Sequence, residues 1–208
     1  MAEYQDRVRL RIRFFPLELN GGDAAPRDIL EQEWWLAALQ EPAAPFVPYH
    51  ADDWPTTTLP AFEAAWSAFQ QGEAAGLDYD LRVRRAFFGE SRNIGRRDVL
   101  IEIAREAGLD MLFFTRMFES EAAHMAVLEE RRLGQERYHI HGTPTMTLPD
   151  GTRLRLPIAF PIQRQRKIVG VGELPCCGSS CLDATRNLFE QALRHQYKQT
   201  PGNVEASH

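Results

Sequence analysis

An α/β fold with a large helical block set between its β segments is what this sequence predicts, and three observations lead to it. The chain opens with strict alternation of apolar and charged residues, its middle is punctuated by helix caps and 3.6-residue apolar spacing, and it closes with a hairpin signal and an amphipathic helix. The order is strand, helical block, β-hairpin, helix, without internal repeats or low-complexity stretches.

Val8, Leu10, Ile12 and Phe14 alternate with Arg9, Arg11 and Arg13, which predicts a half-buried strand stopped by Pro16. Residues 20 to 26 read as a loop, and Ile29, Leu30, Trp34 and Leu39 predict a helix from Asp28 to Gln40. Five prolines between Glu41 and Pro60 exclude long regular structure there, since each removes an amide donor and restricts its predecessor. Thr58 then stands as an N-cap, Pro60 lies in the first turn, and Phe62, Trp66 and Phe69 share one face, with Gly72 and Gly76 at the fraying end. A helix is expected from Asp80 to Phe88. Another runs from Arg96 to Ala107, with Val99, Leu100, Ile103 and Ala107 inward and Gly108 at C′. Asp110 caps the next, stapled by Leu109 and Phe114, and Ser120 caps the one that ends near Gly134.

After about residue 134 the period changes. Thr145 to Leu148, the turn Pro149-Asp150-Gly151, and Leu154 to Phe160 predict a β-hairpin, because Asp-Gly suits the positive φ angles of a tight turn. Leu182 to Tyr197 carries Leu182, Thr185, Leu188, Phe189, Ala192 and Leu193 on one face, a final amphipathic helix before a polar tail.

With 208 residues, 44% of them hydrophobic, the chain can bury an ordinary core and is expected to be globular. No stretch approaches the roughly 18 uncharged apolar residues of a membrane span, and the opening residues hold no uninterrupted apolar run, so no membrane partner and a cytoplasmic location are expected. A net charge of -5 with scattered basic residues argues against nucleic acid as a partner. The three cysteines, Cys176, Cys177 and Cys181, fall within six residues, which is no framework for a disulfide-stapled secreted domain.

Several stretches together resemble the DsbA-like thioredoxin-domain family, including its FrnE-type cytoplasmic branch and the related 2-hydroxychromene-2-carboxylate isomerases. Arg13-Phe14-Phe15-Pro16-Leu17 is similar to the end of the family strand that follows the active-site helix. The run Arg85-Ala86-Phe87-Phe88-Gly89-Glu90-Ser91-Arg92-Asn93-Ile94, then Asp98-Val99-Leu100 and Ala107-Gly108-Leu109-Asp110, matches the family's helical insertion. Gly142-Thr143-Pro144-Thr145 resembles its cis-proline loop. The resemblance implies a thioredoxin-like sheet with a large all-helical insertion. It divides the chain into a thioredoxin-like domain in two segments, 1–26 and 135–208, and a helical insertion domain, 27–134. It also marks a departure: the family's first strand and its Cys-x-x-Cys at the start of the active-site helix have no counterpart here, and no Cys-x-x-Cys occurs in the sequence. An intact fold would then leave a gap in the sheet unless another segment or chain fills it. A misassigned start codon or a truncated chain is the expected explanation, ahead of a divergent family member.

The resemblance implies a cis Pro144 that leaves the backbone of Thr143 able to pair with an extended substrate segment; a rigid turn that only shapes the sheet is the bland alternative. Cys176, Cys177 and Cys181 offer a C-x3-C or a C-x4-C pair just before the last helix, whose dipole and unpaired amides favour thiolates. A redox pair is one reading, a surface thiol group another. Metal binding with His195 as a fourth ligand is the weakest, because neighbouring Cys176 and Cys177 seldom face one ion. His139 and His141 would share a face if their segment were extended. Trp34, Trp35, Phe113 and Phe114 read as core or interface residues, and Arg82, Arg84, Arg85, Arg96, Arg97, Arg131 and Arg132 as solvated helix faces.

Three functions follow. The first is thiol–disulfide exchange on protein or small-molecule thiols, for which these residues would have to use Cys176, Cys177 or Cys181. The second is a glutathione-dependent isomerase of the same fold, with glutathione as co-substrate and no other cofactor. The third is a non-catalytic binding module that forms homodimers through an exposed sheet edge.

Overall fold

Helices dominate the computed structural model, which describes residues 2–4, 7–20, 26–148, 150–154, 162–164 and 168–199. They are α1 (Arg27–Gln40), α2 (Leu59–Phe69), α3 (Glu73–Glu90), α4 (Arg97–Glu106), α5 (Met111–Phe118), α6 (Glu121–Glu136) and α7 (Ser179–Gln199). Four short strands, β1 (Met146–Thr147), β2 (Arg153–Leu154), β3 (Ile162–Arg164) and β4 (Ile168–Val171), form two separate antiparallel pairs among the described residues.

The opening segment corrects the strand expected from Val8 to Phe14. Its burial alternates as predicted, with Arg9, Arg11 and Arg13 exposed, Val8, Leu10 and Ile12 half-buried, and Phe14 buried. Period-2 burial is the mark of an extended backbone, yet the segment joins no ladder among the described residues. A strand needs a neighbour as well as a pattern. The segment is fastened instead by Glu130 on α6, whose carboxylate accepts from the Phe14 amide at 2.7 Å and from Arg13 Nη1 at 2.8 Å.

Gly72 and Gly76 do not end α2. Gly72, at φ +121°, turns the chain directly into α3, and Gly76 lies inside that helix. A Cβ at Gly76 would sit 2.2 Å from the Phe69 ring, so glycine there permits α2 and α3 to meet closely. The helix expected from Asp80 therefore starts at Glu73.

Two of the three expected caps act differently from the local rule. The Asp110 side chain accepts from the Phe113 amide, as an N-cap should. Ser120 makes no cap bond and donates backwards to the Met117 carbonyl. Thr58 occupies the N-cap of α2 without capping it; the Glu18 carboxylate accepts from the Thr58 amide and from the Thr57 and Thr58 hydroxyls. A carboxylate at a helix N-terminus also complements the helix dipole.

α2 packs against α3, α4, α5 and α6, and the core gathers around it. Tyr79, Leu100, Ile103, Phe114, Phe118 and Val127 are essentially inaccessible to solvent. The Tyr79 hydroxyl donates to the Leu100 carbonyl at 3.0 Å, which satisfies a polar group deep in this core. Glu63 on α2, itself buried, is paired with Arg97 at 3.3 Å and with His124 Nδ1 at 2.8 Å. The proline-rich segment is held by aromatic stacking: Trp54 lies 6.0 Å from Trp34 and 5.2 Å from Phe87. Of the adjacent aromatic pairs, Trp34 and Phe114 belong to the core, whereas Trp35 is 61% exposed and Phe113 is partly so.

β1 and β2 pair with Met146 opposite Leu154 and Thr147 opposite Arg153, as the hairpin signal predicts. Residues 155–160 of the expected second strand lie outside the described residues. The β3–β4 pair, irregular between Gln163 and Arg164, was not expected from the sequence. The last helix begins at Ser179, three residues before the predicted start.

Candidate functional site

Two places carry the chemistry singled out in the sequence, and α7 connects them. The first is the loop that enters β1. The Thr143–Pro144 peptide bond is cis, Thr143, Pro144 and Thr145 are exposed, and the Thr145 hydroxyl closes the loop by donating to the Gly142 carbonyl at 2.7 Å. On the far side of β1 the hairpin turns at Asp150-Gly151, with Gly151 at φ +87°. The Asp150 carboxylate accepts from the Thr152 amide at 2.9 Å and meets His195 Nε2 of α7 at 2.5 Å.

The Thr152 amide, with His195 beside it, lowers the Asp150 pKa to about 2. Its folded-state pKa lies below the ordinary carboxylate value, so its contribution to the hairpin–α7 attachment is present above that ordinary value and lost as the pH falls through about 2. Carboxyl-carbon NMR titration should find Asp150 titrating well below the ordinary aspartate value, and His195→Ala should raise it. An Asp150 titrating at the ordinary value in the native chain would remove the attachment.

The second place is the cysteine cluster. Cys176 and Cys181 are joined in a disulfide, Cα atoms 5.1 Å apart and both residues buried, while Cys177 is a free, exposed thiol. The C-x4-C pair is thus the bonded one. Cys181 lies in the first turn of α7. The loop between the half-cystines is shaped by Gly178 at φ +55° and by Ser180, whose hydroxyl accepts from the Cys177 amide at 2.9 Å and donates to the Cys177 carbonyl at 2.8 Å. It is anchored to the end of α1, where the Gly178 amide donates to the Leu39 carbonyl at 3.1 Å. Leu39, which provides that carbonyl, and Leu182 beside Cys181 both have exposed side chains.

Along α7 the hairpin-turn contact and the disulfide stand at opposite ends. His195, which reaches the hairpin turn, lies about four helical turns beyond Cys181, so at about 1.5 Å per residue the disulfide is some 20 Å from that contact. The zinc set weighed from the sequence is not assembled: two of its cysteines are bonded to each other and His195 faces Asp150. Among the described residues, no group of three or more His, Cys, Asp or Glu could hold a metal ion. His139 and His141 are exposed, but His139 has φ +50°, so the extended geometry that would align their side chains does not hold. Sequence reasoning missed Asp150 as the partner of α7 and Leu39 as the anchor of the disulfide loop. The first had a signal, the Asp-Gly turn; the second had none, since it uses only backbone atoms.

The model of the DSBA-like thioredoxin domain family matches residues 3–170, a span that includes the Thr143–Pro144 loop and ends before the cysteine cluster. Uncharacterized protein YwbO of Bacillus subtilis (strain 168) is 28% identical over 164 residues, covering 72% of this chain and 78% of its own. Among solved structures, the cytosolic disulfide reductase DsbM from Pseudomonas aeruginosa superposes with a TM-score of 0.51 at 19% identity, over 79% of this chain and 73% of its own. That last likeness is one of fold. No helix among the described residues is long and apolar enough to cross a membrane.

Proposed function

We propose, since this chain belongs to the DSBA-like thioredoxin domain family, that it carries out thiol–disulfide exchange with Cys176 and Cys181 as its electron-carrying pair. The family has a thioredoxin-like fold, and in this reading residues 1–26 and 135–208 form that domain around the helical insertion 27–134. The observation that carries the proposal is the Cys176–Cys181 bond beside the exposed Cys177 thiol. A cytoplasmic protein is kept in a reducing environment, where a disulfide is a redox device more often than a staple.

In the reduced protein, a thiolate of the pair attacks one sulfur of a substrate disulfide. A mixed disulfide forms, the substrate S–S bond breaks, and the departing sulfur takes a proton. The second thiolate of the pair attacks the mixed disulfide, releases the other substrate thiol and closes Cys176–Cys181. Two electrons have then passed from the pair to the substrate, and two equivalents of a small thiol such as glutathione restore the dithiol. The α7 N-terminus favours the thiolate at Cys181. Thr143 and Pro144, exposed at the start of β1, supply a backbone surface for an extended substrate.

An insulin-reduction assay with glutathione as reductant tests this. The native chain is expected to accelerate precipitation above the thiol-only background, and the Cys176→Ser, Cys177→Ser, Cys181→Ser triple variant to return it to background. Equal rates in the two proteins would remove the proposal.

A further inference from the structure

We infer that the segment from Arg9 to Arg13 is a docking edge for an acidic, extended segment of another polypeptide, added to it as a β-strand. Three observations carry this. The segment is already shaped as a strand: its burial alternates residue by residue, with Ile12 and Phe14 packed on the main core and Val8 on the Tyr4, Phe189 and Leu193 cluster. Among the described residues no backbone hydrogen bond reaches the amides or carbonyls of Arg9 to Arg13, although backbone groups are obligatory hydrogen-bonding partners. A preformed edge of this kind offers a ladder to an incoming strand without the cost of ordering its own half.

Charge selects the occupant. Arg9, Arg11 and Arg13 stand on the solvent face at every second position, the spacing at which side chains of an added strand lie opposite one another. Neighbouring carboxylates already show the matching chemistry. Glu130 takes the Phe14 amide and the Arg13 guanidinium together, and Glu73 lies 3.5 Å from Arg9. Arg11 has no ion pair among the described residues, and a carboxylate on an incoming strand would supply one.

A second copy of the chain fits poorly. Pairing the segment antiparallel with itself sets Arg9 against Arg13 and Arg11 against Arg11, and like charges directly opposite are destabilising. Shifting the register by one residue puts the arginines opposite apolar residues and turns the apolar side chains to solvent. The homodimer expected from the sequence is therefore not the favoured use of this edge.

The test uses the full chain and a short fluorescent peptide of alternating glutamate and valine. Saturable binding by anisotropy is expected, with slowed amide exchange at Leu10, Arg11 and Ile12 and binding weakened about fivefold by Arg11→Glu, the consequence of turning one cross-strand attraction into repulsion. Arg11→Gln should fall between, and circular dichroism should show both variants folded, since Arg11 is exposed. Alternate N-methylation of the peptide should abolish binding by removing its ladder donors. Equal binding of a lysine–valine peptide, unchanged exchange at those amides, or a peptide-free dimer that protects the same residues would each overturn the inference. None of these readouts depends on thiol chemistry.

Discussion

Phe114→Ala is expected to lower the unfolding free energy by about 3–5 kcal/mol, the range for removing a buried aromatic ring from a packed core. Phe114 is fully buried on α5, its ring 5.5 Å from that of Tyr79 on α3 and 5.5 Å from that of Phe118. The lost ring would leave a cavity where three helices meet, and Tyr79 cannot move to fill it without giving up its bond to the Leu100 carbonyl. Leu112, two residues earlier and 75% exposed, gives the control: its alanine variant should fall within about 0.5 kcal/mol of the native protein. Urea denaturation with an unchanged slope measures both. Similar losses for the two variants would mean that α5 is not packed as described.

The positions of these helices were legible because the signals that place them are local. Asp110 caps α5 through an amide three residues away, and Gly108 ends α4 at φ +70°. Interactions between distant residues were not legible. Glu18 caps α2 across 40 residues, and no spacing rule points a glutamate of the short 3-10 turn Leu17–Asn20 at a helix that far along the chain. Gly76 carries a local signal for a helix end, yet its reason is the Phe69 ring of the neighbouring helix. At the start of the chain, alternation foretold which residues of Val8 to Phe14 are buried but not whether anything pairs with them, since pairing depends on residues elsewhere. The cysteine cluster was visible in full while its connectivity stayed open, because C-x3-C and C-x4-C differ by one residue and the choice between them depends on the three-dimensional path of the loop, which holds Gly178 at φ +55°.

The second large effect concerns that cluster. Reducing Cys176–Cys181, or replacing both with serine, is expected to lower stability by about 2 kcal/mol, the loop-closure contribution of a cross-link this short. The same change should release the constraint that holds the start of α7 against the Leu39 carbonyl at the end of α1. Urea unfolding with and without dithiothreitol separates the contributions. The native chain should lose stability on reduction, the Cys176→Ser, Cys181→Ser variant should not respond to dithiothreitol, and Cys177→Ser should behave as the native chain because its thiol is exposed and unbonded. A native chain indifferent to reduction would mean that the bond does not constrain the folded state.

The stacking of Trp34 on Trp54 has an optical consequence. Both indoles sit within an aromatic cluster that also includes Tyr49, Phe87 and Phe88, and Trp66 packs against the same core, while Trp35 stands in water. Three of the four tryptophans therefore change surroundings when the helices separate, and the fourth supplies a constant background. The coupled Trp34–Trp54 pair should give a near-ultraviolet dichroism band that vanishes as the proline-rich segment leaves α1. The protein thus carries an intrinsic reporter that distinguishes detachment of that segment from melting of the helices beneath it.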